Sequence, residues 1–133
     1  MIPARKILTA VAAVLAVSLG SGLAQADDDA KMIKKGKKVF NKCKTCHLID
    51  KEKNKIGPHL VGIIGRQAGA VEGFKYSDAM KNSGIVWNEE ELLAYVTKPK
   101  EYIPGNKMVF AGLKKEKHRQ RLMAYIKSLM PAE

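Results

Sequence analysis

Cys43-Lys44-Thr45-Cys46-His47 puts two thiols and an imidazole within five residues. Two cysteines separated by two residues suit thioether bonds to the two vinyl groups of one haem, and a histidine directly after them can bring a ring nitrogen to the iron. The same CxxC spacing also serves thiol redox chemistry, zinc binding and ordinary disulfides, so the motif alone does not separate these chemistries. Cys43 and Cys46 are the only two cysteines in 133 residues, so the chain has no disulfide framework to lean on.

Upstream of the motif, Arg5 and Lys6 give a positive start, Ile7 to Leu19 an apolar run, and Ala24-Gln25-Ala26 a small-residue site before Asp27. This pattern is expected of a secretory signal over residues 1–26, cleaved to leave a single domain over 27–133. The apolar run falls short of the ~20 residues that span a bilayer, which disfavours a retained anchor. Export implies a periplasmic, soluble domain. The domain lies near the small end of what folds on its own core, so a covalent haem would serve as core material as well as redox centre. The haem-free chain is expected to be largely unfolded.

Lys and Arg number 24 against 13 Asp and Glu, a formal net charge of +11; because Arg5 and Lys6 are the only charged residues before Asp27, cleavage lowers it to +9. A field of this sign favours nucleic acid, an anionic membrane or an acidic protein. The lysines are spread along the chain and aromatic residues make up only 6%, so neither a basic arm nor a base-stacking platform is visible. No nucleic-acid role is expected, and an acidic protein partner is the reading that remains.

Hydrophobic spacing predicts a mainly helical domain. Asp27 to Asp29 precede an apolar pattern at Met32/Ile33, Gly36 and Val39/Phe40, which gives an amphipathic helix leading to the cysteines. Gly36 is its odd member, since a mid-helix glycine costs about 1 kcal/mol relative to alanine; close approach of a second helix would explain it. Lys51 to Gly73 is expected to be an ordered loop. A short helix is expected at Ser77 to Asn82, closed by Gly84. Asn88 with Glu91 forms a capping-box-like start to a helix over Glu89 to Thr97, which ends before Pro99. A last helix, Lys115 to Leu129, has an apolar face at Leu122, Tyr125/Ile126 and Leu129.

A haem iron held by His47 on one side needs its other face specified. Met32, Met80, Met123 and Met130 lie in predicted helices, where core packing is the simpler explanation. Met108 instead follows the turn sequence Pro104-Gly105-Asn106-Lys107, on a loop that can be aimed at a flat ligand. His59 and His118 compete with it. His118 sits among charges and suits a solvated helix; His59 is too close to His47 in sequence to reach the opposite haem face easily.

Taken together, GKKVF, CKTCH, NKIGPHLVGIIGRQAG, GFKYSDAMKNSGIVW, ELLAYVTKPKEYIPGNKM, FAGLKK and LMAYIKS, in this order, closely resemble the class I cytochromes c, both mitochondrial and soluble bacterial of the cytochrome c-two kind. The resemblance covers residues 30–130. It implies an all-α class I cytochrome c fold, with helices and long loops wrapped around one covalent haem c. It makes Cys43 and Cys46 the thioether residues, His47 the proximal ligand and Met108 the distal one. The carbonyl of Pro58 would accept the second imidazole N–H of His47. Tyr76 and Trp87 match positions that hold a haem propionate, Arg66 a cation that offsets its charge, and Tyr95 a residue near the distal methionine.

Three positions depart from the pattern. Asn106 stands where many relatives have threonine beside a propionate, Met80 where the mitochondrial protein has asparagine, and His59 where asparagine is usual. With both axial positions filled, the expected function is one-electron transfer, not catalysis; a haem enzyme or gas-binding protein with an open distal site is the alternative. Lys42, Lys44, Lys55, Lys107 and Lys114 are candidates for a lysine ring around the haem edge. A monomer is expected, docking transiently on acidic redox partners such as a cytochrome bc complex and a terminal oxidase, reaction centre or periplasmic reductase.

Overall fold

The computed structural model describes residues 21–131. It contains α1 (Ser21–Phe40), α2 (Asp78–Lys81), α3 (Glu89–Thr97), α4 (Pro99–Tyr102) and α5 (Glu116–Ser128). Among the described residues there is no strand, only an isolated antiparallel bridge between Gln67 and Val86. The all-α expectation holds. No described helix is long and apolar enough to cross a membrane. Arg5, Lys6 and the apolar run of the expected signal lie outside the described residues.

The first helix starts earlier than Asp27. Ala24, Gln25 and Ala26 favour helix and nothing after them breaks it, so α1 runs back to Ser21. This early part packs on none of the described residues: Leu23 is 78% exposed. Burial begins with Met32 and Ile33 and is complete at Val39 and Phe40.

At Gly36 the awkward glycine is explained. A Cβ there would collide with the Arg121 carbonyl oxygen of α5 and lie 2.7 Å from Tyr125 Cβ, so only glycine lets the two backbones approach. The Phe40 and Tyr125 rings pack beside this crossing, 5.5 Å between centroids. Leu122, Met123 and Ile126 form the buried face of α5. Leu129, expected on that face, is instead 47% exposed, because the helix ends at Ser128.

Both short-range caps form. Ser77 accepts the Met80 N–H at 3.1 Å to start α2, and Asn88 Oδ1 accepts the Glu91 N–H at 2.8 Å to start α3. The Glu91 carboxylate does not complete a capping box; it accepts from the Tyr102 hydroxyl. Pro99 ends α3 as expected but also begins α4, which the sequence reading lacks. A proline at a first helical position loses no hydrogen bond and already has a helical φ.

The loop over Lys51 to Gly73 is ordered by its own backbone. Gly57 N–H donates to the Cys46 carbonyl at 2.8 Å and Leu60 N–H to the Leu48 carbonyl at 2.7 Å, which closes the first part of the loop on the cysteine segment. Ala68 N–H to Ile85 O and Trp87 N–H to Arg66 O, both 2.8 Å, then pair the loop with the stretch before α3.

Candidate functional site

Within these loops and helices lies a cavity of about 260 Å³. Cys43, Cys46 and His47 all line it, and the turn that carries them is a continuation of α1. Cys43 N–H donates to Phe40 O at 2.8 Å, and Cys46 and His47 N–H both donate to Cys43 O, at 3.1 and 2.9 Å. The two thiols are half-buried and unbridged. Burial, together with the nearby Cys46 charge, pushes the Cys43 thiol up to about 11 against a small opposing effect of Lys42, so the free thiol is protonated.

His47 is clamped. Its Nδ1 lies 2.6 Å from the Pro58 carbonyl oxygen, which can only accept, so the proton is on Nδ1 and Nε2 is left as a lone-pair donor. Gly57 backs the ring: a Cβ there would stand 2.7 Å from His47 Nδ1. Burial holds the imidazole below its ordinary pKa, with Arg66 and Lys55 acting in the same direction and the Pro58 bond against them. A neutral imidazole with one free nitrogen is the form that binds a metal.

Met108 reaches the same cavity on the segment after α4. The hydroxyl of buried Tyr95 donates to its Sδ at 3.6 Å, and burial pushes that phenol up to about 12. The Met108 N–H donates to Asn106 Oδ1 at 2.9 Å. Asn106 lines the cavity and is buried, yet its amide protons are spent on the Pro99 and Ile103 carbonyls, each at 2.8 Å.

Arg66, Tyr76 and Trp87 also line the cavity. Arg66 is held by the Val61 and His59 carbonyls at 3.1 and 3.0 Å, and the Tyr76 hydroxyl accepts the Val71 N–H at 3.2 Å. The hydroxyl proton of Tyr76 and the indole N–H of Trp87 have no acceptor among the described residues.

Met80, expected as packing, both packs on the core and lines the cavity. His59 contributes through its backbone: its N–H donates to Asn54 Oδ1 and its carbonyl holds Arg66. Among the candidate lysines, Lys42 and Lys107 line the cavity, and Lys55 Nζ reaches the Lys44 carbonyl at 3.0 Å. Exposed Ile56 and Val109 add apolar surface to the lining. Sequence reasoning missed the specific parts played by Gly57 and Lys100. Lys100 Nζ donates to the Asn106 carbonyl at 2.6 Å, a link that no local pattern announces. For Gly57 the only signal was a glycine before Pro58.

This donor set fits a covalently attached haem: two thiols beside a neutral imidazole, largely apolar side chains, a thioether, and free O–H and N–H donors near an arginine. The Cytochrome c family model matches residues 33–130. The chain belongs to the cytochrome c family. It is 53% identical over 95 residues to cytochrome c-550 of Nitrobacter winogradskyi, covering 71% of this chain and 87% of that one. Against cytochrome c2 of Blastochloris viridis it is 50% identical over 115 residues, 86% of each chain. The solved structure of cytochrome cH from Methylobacterium extorquens matches with a TM-score of 0.68 at 40% identity, covering 72% of this chain and 97% of the other. As a cytochrome c, the protein carries haem c attached through Cys43 and Cys46, and acts as a haem-based electron carrier that works with redox partners.

Proposed function

We propose that this cytochrome c is an exported periplasmic shuttle whose haem iron is held by His47 and Met108. One observation carries the reading: His47 and Met108 line the cavity that the two cysteines line, and each is held there by its own hydrogen bonds. When bound, the haem supplies a one-electron couple between ferric and ferrous iron.

The side chains tune that couple. The Pro58 carbonyl fixes the His47 ring and raises its basicity. The Met108 thioether is soft and neutral, which favours the ferrous form. Apolar walls exclude water and disfavour the extra positive charge of the oxidised state. Tyr76 and Trp87 would donate to a propionate, and Arg66 would offset its charge. With His47 and Met108 both holding the iron, no position would be left for a substrate, which supports electron transfer without catalysis.

Lys42, Lys44, Lys55, Lys107 and Lys114 would steer an acidic partner to the cavity mouth, and the rate would fall with added salt. A cytochrome bc complex as donor and a terminal oxidase, reaction centre or periplasmic reductase as acceptor suit a monomeric cationic carrier. Residues 1–26 would direct export, and the periplasmic protein would begin at Asp27.

The ferric protein should show the weak far-red sulfur-to-iron charge-transfer band and should not bind cyanide or carbon monoxide at once. Met108→Ala should remove the band and lower the potential. Immediate ligand binding by the unaltered protein, or an unchanged spectrum in the variant, sinks the ligand assignment in favour of an open-site haem protein.

A further inference from the structure

We propose that Asn106 is the positioning residue of the distal methionine: it ties Met108 to the end of α4 and makes no hydrogen bond to a haem propionate. The inference rests on Met108 being an iron ligand. Five hydrogen bonds converge on this one residue, which is only 3% exposed, one of them from its own backbone N–H to Ile103 O. Its Nδ2 donates to Pro99 O and Ile103 O, its Oδ1 accepts the Met108 N–H, and its carbonyl accepts from Lys100 Nζ.

The valence of the amide decides between the two possible roles. A primary amide has two N–H donors, and both are committed to protein carbonyls at 2.8 Å. No donor is left for a carboxylate, and an amide oxygen is repelled by one. The two carbonyls are at the start of α4 and just beyond its end; each already accepts a backbone N–H, Pro99 O from Ile103 and Ile103 O from Asn106, and the Asn106 amide adds a second bond to each. Asn106 therefore closes α4 with one end of its amide and holds the Met108 backbone with the other. A threonine hydroxyl has one proton and cannot bridge both carbonyls, so Asn106 represents a different use of the position.

The consequence is mechanical. Between Asn106 and Leu113, whose N–H donates to Val96 O at 2.7 Å, Met108 lies two residues from a fixed point. Loss of the staple should let the thioether leave the iron more often, and the iron would then take up an added ligand faster.

The test uses ferric holoprotein as wild type, Asn106→Leu, Asn106→Thr and Asn88→Ala, with imidazole as the captured ligand. Asn88→Ala removes the cap at the start of α3, which has no hydrogen bond to Asn106 or Met108 among the described residues, and serves as a control for general destabilisation. Absence of the far-red band from the wild type would overturn the ligand reading itself, whatever the variants do. With the band present, Asn106→Leu should capture imidazole about tenfold faster, the order expected for losing one buried hydrogen bond, and should lose protection of the Met108 amide against hydrogen exchange. Asn106→Thr, which keeps an acceptor for that amide but not both donors, should fall between leucine and wild type. Asn88→Ala should capture at the wild-type rate. Wild-type capture by the leucine and threonine variants, or equal acceleration in Asn88→Ala, overturns the positioning role. If the leucine variant yields no holoprotein, the threonine variant decides by the same criterion.

Discussion

His47 is held by residues close to it in the chain, whereas Met108 is held by residues gathered from α3, α4 and the turn between α4 and the methionine. The proximal segment continues α1 as a tight turn, loops out, and returns through Gly57 and Pro58 to grip the ring it presented. The distal segment has no such self-contained grip: Tyr95 reaches the sulfur, Asn106 the backbone, and Lys100 the residue that does the holding. Short chain geometry suffices for the proposed proximal ligand. The other depends on a folded context, and the two should fail differently when disturbed.

The largest effect is expected at the far anchor of the distal segment. Gly112 has φ +104° and packs against the Thr97 carbonyl, whose carbon would be 2.7 Å from an added Cβ. Strain and backbone collision together should make Gly112→Ala cost about 4 kcal/mol in denaturant unfolding of the holoprotein, with the far-red band weakened before global unfolding. A loss below about 1 kcal/mol would show that the distal segment is not anchored there. Gly57→Ala should strike the proximal side instead, at about 3 kcal/mol, because the new methyl displaces an imidazole already pinned by Pro58. Here the His47 Nδ1 proton should lose its protection from exchange while the Met108 band persists; a lost band with a protected imidazole would reverse the comparison.

The smallest effect is confined to high pH. Tyr95 is raised to about 12 by burial, against an ordinary value of about 10. Its contribution is complete below the unfolded pKa and is lost as pH rises through the folded one, because the unfolded chain releases this proton first. Wild-type stability should therefore fall between about pH 10 and 12 by on the order of 2 kcal/mol more than that of Tyr95→Phe. Parallel pH curves for the two proteins would remove the buried hydroxyl from the distal side.

The same contrast explains what could be read from the sequence. The cysteine–histidine turn, the Asn88 cap and the end of α3 at Pro99 depend on residues within a few positions of one another, so spacing alone carried them. Gly36 announced itself by being wrong for a helix, and the cause proved to be the Arg121 carbonyl. The double role of Pro99 was missed because a proline that stops one helix can also start the next. The Asn106 staple was invisible because an asparagine in a Pro-Gly-Asn turn looks like turn chemistry, and its partners are defined only once α4 exists. Leu129 was misplaced because periodicity does not say where a helix stops.

The clasp of Gly36 on α5 also sets a timetable for the molecule. Its two halves are separated by almost the whole domain, so the contact pays its loop-closure entropy late and cannot form until the C-terminal helix has left the ribosome. Until then the cysteine turn has no lid over it. If residues 1–26 direct export as proposed, a chain that stays open until its last helix arrives suits passage through a translocon and leaves its two cysteines accessible for haem attachment.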